Sequence, residues 1–271
     1  MNTIKSRDGT TIALDRSGDG PAVILVAGAL SQRTTAGPLA ALLAARFNVI
    51  SYDRRGRGDS GDTNPYAVDR EVEDIAALVD EAGGSAGLFG HSSGAVLALE
   101  AAARGVAVTR LAMYEPPFIV DRSRTPVPEN YVAQLNELVA SGRRGNAVES
   151  FMIVATGAPP DLVAEMRSSP WWPSLEAMAH TIPYDVTVMG DTMRGDPAAL
   201  ARFSSVRVPA LVIDGGASPA WARNAAQAIA GVLPDARRVT LEGQAHAAEP
   251  ALVAPVLIEF FGSPTTARDD A

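Results

Sequence analysis

The most constraining stretch of this 271-residue chain lies between residues 86 and 103. A short apolar run, Ala86-Gly87-Leu88-Phe89, leads into Gly90-His91-Ser92-Ser93-Gly94, and a small-residue segment over 94–103 follows. The run reads as a strand and the small-residue segment as a helix. A strand that becomes a helix within five residues must turn sharply. Glycines two before and two after Ser92 relieve the crowding such a turn creates. The serine oxygen is then exposed at the tip, where the start of a helix favours developing negative charge. G-x-S-x-G in a strand–turn–helix setting marks Ser92 as a candidate nucleophile.

The same alternation runs through the first half of the chain. Residues 10–15 follow the turn signal Asp8-Gly9 and alternate, as an antiparallel strand does. Residues 22–27 and 47–52 are aliphatic runs suited to strands buried on both faces. Helical segments are expected at 38–46 and 68–82, the latter with Val72, Ile75, Ala76 and Val79 on one face. A further strand is expected at 109–114. This order predicts an α/β fold with a mostly parallel, doubly wound sheet.

The rhythm stops at Glu115-Pro116-Pro117. From residue 118 to 203 no segment reads as a buried strand, and helices are expected at 131–140, 146–156 and 161–167. The strand rhythm resumes at 208–213 and 236–241, with helices at 220–233 and 251–261. This predicts a core domain of residues 1–117 plus 204–271 carrying a helical insertion, 118–203. The polar tail, 263–271, is expected to be mobile.

Composition narrows the functional classes. Apolar residues are 47% of the chain, enough for a substantial core, and the net charge is −8. An acidic surface repels phosphate backbones and anionic lipid, so neither nucleic acid nor membrane is an expected partner. No cysteine is present, which removes thiolate nucleophiles, disulfides and cysteine-bound metals. The N-terminus lacks a signal-peptide pattern and no apolar run is long enough to span a bilayer. A cytoplasmic protein acting on a small molecule is expected, and a homodimer is compatible with this.

A serine hydroxyl needs a neighbouring base. Of the three histidines, His91 adjoins Ser92 on the turn, where neighbours point different ways, and His180 falls in the insertion. His246 follows the last strand and precedes the last helix, which in a parallel sheet is the edge that carries Ser92. His246 is therefore the expected base, with His91 packing beside the turn.

These features together resemble the α/β-hydrolase superfamily over nearly the whole chain. The resemblance rests on the segment 22–28, the turn Asp53-Arg54-Arg55-Gly56-Arg57-Gly58-Asp59-Ser60 (similar to D-x-R-G-x-G-x-S), the GHSSG elbow and the late histidine. It implies an eight-stranded sheet, a Ser–acid–His triad and a variable cap at 118–203. It also implies a mainly structural role for the Asp53–Ser60 turn. The commonest acid site, a few residues past the seventh strand, here holds Ser218, and Asp214 comes earlier, at the strand end. The superfamily has a second acid site after the sixth strand, used by haloalkane dehalogenases and some lactonases. Glu115 occupies it, so Glu115 is the expected acid and Asp214 the alternative. The resemblance further implies an oxyanion hole from the backbone N–H groups of Ser93 and Ala29, with Leu30 as a shifted alternative. It requires no metal and no organic cofactor.

The expected function is a serine hydrolase that cleaves an ester or lactone of a small, largely apolar substrate through an acyl-enzyme. Leu30, Met152, Trp171 and Trp172 are the expected substrate-binding residues, with Met166, Met178 and Met189 as further apolar candidates for the cap wall. Two other readings stand beside it. One is a lyase, cofactor-free haloperoxidase, C–C bond-processing enzyme or cyclase on the same fold. The other is a non-catalytic binding protein of receptor-like kind.

Overall fold

The computed structural model describes residues 1–263. Among the described residues eight strands form one sheet: β1 (Asn2–Lys5), β2 (Thr11–Ser17), β3 (Ala22–Val26), β4 (Asn48–Tyr52), β5 (Ala86–His91), β6 (Val108–Tyr114), β7 (Ala210–Gly215) and β8 (Ala236–Leu241). Their spatial order is β1-β2-β4-β3-β5-β6-β7-β8. The pairs β1/β2 and β2/β4 are antiparallel, and every other pair is parallel. β1 has no counterpart in the strand pattern read from the sequence. It is a four-residue edge strand with mostly exposed side chains, so burial leaves no hydrophobic signature on it.

Among the described residues five helices flank the sheet: α1 (Gly37–Leu43), α2 (Val68–Glu81), α3 (Ser93–Ala103) and two that are met further along the chain. Between β6 and β7 the chain passes through α4 (Tyr131–Ala140), α5 (Arg144–Ser150), α6 (Pro160–Arg167), α7 (Trp172–Ala177) and α8 (Ile182–Met189). The remaining flanking helices are α9 (Ala220–Val232) and α10 (Pro250–Gly262). The helix expected over 146–156 is divided. α5 gives way to a π-helical segment, Phe151–Thr156, which ends at Gly157 in the left-handed region (φ 77°). The tail expected to be mobile falls, from residue 264 onward, outside the described residues.

The aliphatic strands are explained by two apolar layers. Ile24 and Val26 of β3, Leu111 and Met113 of β6, and Val212 of β7 face a core shared with α2, α3, α9 and the insertion. Val23 and Leu25, Ala112 and Tyr114, and Leu211 and Ile213 face a second core closed by α1 and α10. Both faces of the central strands are dry, so their sequences read as continuous apolar runs.

The chain leaves β3 toward β4 on one side and returns to β5 on the other. Strand order therefore reverses between β3 and β5, and a crevice opens at their carboxyl ends. The loop after β3 and the turn bearing Ser92 meet there.

Candidate active site

Ser92 sits between β5 and α3 with φ 56° and ψ −126°. Three non-glycine residues have positive φ among the described residues, namely Leu30, Ser92 and Glu115. Such conformations cost about 1–3 kcal/mol each and persist only where the surroundings enforce them. All three lie at carboxyl ends of adjacent strands. The glycines of the turn are sterically required. A Cβ on Gly94 would stand 2.2 Å from the Val26 carbonyl oxygen, and one on Gly90 would stand 2.4 Å from the Ala95 Cα. The Ser92 N–H donates to the Tyr114 carbonyl at 2.9 Å, which ties the turn to the end of β6.

Glu115 is the residue after β6, 2% exposed. Its Oε2 accepts from His246 Nδ1 at 2.8 Å. Its Oε1 accepts from the Gly215 N–H at 2.9 Å and from the Ser218 hydroxyl. Burial alone would raise its pKa. The hydrogen bonds from His246, Ser218 and Gly215 outweigh burial and hold the carboxyl below the usual glutamate range. Ser218, which stands where relatives commonly carry the acid, thus donates to the glutamate that faces the histidine.

Asp214 faces elsewhere. It is fully buried and pairs with Arg238 on β8 through two bonds, Nε to Oδ1 at 2.7 Å and Nη2 to Oδ2 at 2.8 Å. The structure brings Glu115, and not Asp214, to His246.

The His246 side chain is 49% exposed. Its loop is held from below by two side chains. Tyr114 donates its hydroxyl to the Ala245 carbonyl at 2.7 Å, and His91 Nε2 lies 2.9 Å from the His246 carbonyl. A carbonyl only accepts, so Nε2 of His91 carries the hydrogen. Burial, with the nearby His246 ring, pushes the His91 pKa down to about 4, which keeps this imidazole neutral. The two histidine rings are 4.7 Å apart. Neither supporting role for His91 and Tyr114 was apparent in the sequence, because both depend on where a loop some 130 or more residues later comes to rest.

With Nδ1 donating to Glu115, Nε2 of His246 is the nitrogen free to take a proton. Ser92 is partly exposed, and its Oγ makes no hydrogen bond to another described residue. In substrate-free enzymes the serine–histidine link is often long and tightens only with substrate bound. The Ser93 N–H opens α3 and so has no intrahelical acceptor. Ala29 and Leu30 lie in the loop after β3. Gly28 in that loop packs closely on the turn: a Cβ there would stand 3.1 Å from the Ser92 Cβ and from the His91 carbonyl oxygen, so these neighbours would have to give by a few tenths of an ångström.

A cavity of about 270 Å³ opens beside His246, with Gly28, Leu39, Phe89, Tyr114 and Val253 among its mostly apolar lining. Leu30 and Met152 are half-buried against the core layer shared with the insertion. Trp171 is 45% exposed, and Trp172 is buried with its indole N–H on Glu176 at 2.8 Å. None of these four lines that cavity, and Ser92 does not line it either. Met166 is half-buried against that core, Met189 is buried within it, and Met178 is buried. Among the described residues, no three His, Asp or Glu side chains are grouped to hold a metal ion, and no helix is long and apolar enough to cross a membrane.

Comparison with known proteins gives a consistent picture. A sequence profile described as the alpha/beta hydrolase family matches residues 23–256. The crystal structure of an alpha/beta hydrolase from Sphaerobacter thermophilus is 58% identical, with a TM-score of 0.90, covering 96% of this chain and all of that one. An N-formylmaleamate deformylase from Pseudomonas putida is 40% identical over 104 residues, which is 37% of this chain and 39% of that protein. A 2-(acetamidomethylene)succinate hydrolase from Mesorhizobium japonicum is 26% identical over 87% of this chain and 85% of its own length.

Proposed function

This chain belongs to the α/β hydrolase family, and from that premise we propose that it is a serine hydrolase acting on a small acyl substrate through an acyl-enzyme. The observation that carries the reading is the placement, on one edge of the sheet, of the strained Ser92 turn after β5 and the Glu115–His246 pair, whose residues follow β6 and β8. Ser92 Oγ attacks the acyl carbonyl carbon while its proton passes to His246 Nε2. Glu115 stabilises the resulting imidazolium and keeps the ring in its tautomer. The N–H groups of Ser93 and Ala29 receive the oxyanion. His246 then returns the proton to the leaving group, and water attacks the acyl-enzyme by the reverse path.

An ester or lactone suits this centre, because a serine beside a histidine oriented by a carboxylate is the arrangement that acyl transfer uses. A second reading, cleavage of an acyl–nitrogen bond, is favoured by the names of two relatives, a deformylase and an acetamido-compound hydrolase. The chain spans only 39% of the deformylase, so that activity is carried over as a proposal.

The test is to incubate the protein with a fluorophosphonate and with p-nitrophenyl esters, lactones and N-formyl amides. Covalent labelling at Ser92 with turnover of one class is expected, and Ser92→Ala should abolish both. Absence of labelling and of turnover across the panel would overturn the reading.

A further inference from the structure

The turn Asp53–Ser60 contains two arginines, Arg54 and Arg57, at positions where the D-x-R-G-x-G-x-S pattern accepts any residue. Both are buried. Arg55, the arginine of the pattern, pairs with Asp74 and Asp8. Arg54 and Arg57 instead meet Asp185, the single charged residue of α8, Ile-Pro-Tyr-Asp-Val-Thr-Val-Met. Arg54 Nη1 donates to Asp185 Oδ1 at 2.8 Å and Arg57 Nη2 to Oδ2 at 2.7 Å. Glu71 balances the second positive charge through a two-bond pair with Arg54.

The far ends of this network are backbone and side chain of the catalytic centre. Arg57 Nη1 donates to the Gly28 carbonyl at 2.8 Å. That carbonyl belongs to the same peptide unit as the Ala29 N–H. A trans peptide is planar, so fixing the direction of its C=O fixes the opposite direction of its N–H. A charge-assisted bond to the carbonyl also polarises the unit and strengthens the N–H as a donor. Arg54 Nη1 reaches the Ala27 carbonyl one residue earlier, at 3.3 Å. On the other side, the Ser93 hydroxyl donates to Asp185 Oδ1 at 2.7 Å. Ser93 is the residue whose N–H forms the other half of the oxyanion hole.

We propose that Asp185 is a positioning residue: one carboxylate from the helical insertion aims both oxyanion donors, Ala29 through Arg57 and Gly28, and Ser93 through its hydroxyl. This rests on the reading of Ser92 as the nucleophile. It makes the insertion part of the catalytic machinery and not only a cover over the substrate.

Asp185→Asn removes the charge that holds both arginines, and Ser93→Ala removes only the hydroxyl link while keeping the Ser93 N–H. Each full-length variant is compared with the unaltered protein by steady-state turnover of p-nitrophenyl acetate, by fluorophosphonate labelling rate and by thermal unfolding. Losing one oxyanion donor outright costs about 10²–10³ in kcat. A misdirected donor should therefore cost Asp185→Asn about tenfold or more in kcat, with a smaller loss for Ser93→Ala and KM little changed for both. A residue that merely stabilised the fold would lower the unfolding midpoint without this kcat-specific loss. Should Asp185→Asn not fold, Ser93→Ala decides alone. Folded variants with unaltered kcat, or with raised KM alone, overturn the proposal. If the unaltered protein is neither labelled nor active, the serine-hydrolase reading itself has failed and this inference falls with it.

Discussion

At the scale of single residues, the two candidate acids are separated by their partners. Glu115 presents one oxygen to His246 and the other to Ser218 and Gly215, so its charge faces the proposed base. Asp214 spends both oxygens on Arg238. Glu115→Gln should lower kcat by about 10⁴, the cost of a wrong histidine tautomer in the serine-protease template. Asp214→Asn should instead lower stability by about 1–3 kcal/mol, because Arg238 is partly solvated, and leave kcat within a few-fold. Steady-state kinetics together with urea unfolding of the two variants separate these outcomes, and the reverse pattern would reassign the acid. Ser218 explains why the pair could be anticipated only in part. The sequence showed a serine in place of the commoner acid, but the hydroxyl donating to a glutamate 103 positions away is a tertiary contact.

At the scale of elements, the strand–turn–helix unit is the feature whose sequence and geometry agree most closely. Its glycines are there for steric reasons, since the α3 start presses on the loop after β3. Gly94→Ala would drive a methyl into the Val26 and Ala27 carbonyls, 2.2 and 2.6 Å away. The cost should be at least about 2 kcal/mol, as for other overpacked sites. Gly231→Ala, in α9 with nothing within 4 Å, should be neutral or stabilising by up to about 1 kcal/mol. Urea midpoints for the two variants make the comparison, and equal midpoints would refute the steric account. The elements that sequence reading missed or misplaced lack such a signature. β1 is exposed, α7 and α8 are short, and the π-helical turn at Phe151–Thr156 is an unbroken apolar run that carries no period to tell it from an ordinary helix.

At the scale of the whole molecule, the edge that carries the candidate site gathers side chains from distant parts of the chain, and its titration is coupled to folding. His91 has a folded pKa of about 4 against an ordinary 6.5. Between those values the unfolded chain binds more protons than the folded one, so stability rises with pH across that window and is lost as pH falls through it. The slope from this one group can reach about 1.4 kcal/mol per pH unit. Unfolding free energies measured between pH 4 and 6.5 should show a shallower dependence for His91→Gln than for the unaltered protein. Identical slopes would show that His91 is not the group responsible. The Glu115 carboxyl acts in the same direction at more acidic pH. Its lowered pKa supplies stability above the usual glutamate value, and that stability disappears as the carboxyl protonates.

The sequence alone determined the alternating α/β order, the Ser92 turn and the late loop that carries His246. Each of these is written in local patterns: aliphatic runs buried on two faces, obligatory glycines, and a histidine between a strand and a helix. Only the tertiary structure decided which carboxylate faces His246, what holds the His246 loop from beneath, and where Trp171, Trp172 and Met152 stand relative to the cavity. It also decided that Asp185 of α8 reaches the peptide of Ala29 and the side chain of Ser93. The reason is physical. Apart from the side chains around the cavity, those relations are hydrogen bonds and ion pairs between residues 92 or more positions apart, and a buried charge leaves no periodic trace in the chain that contains it.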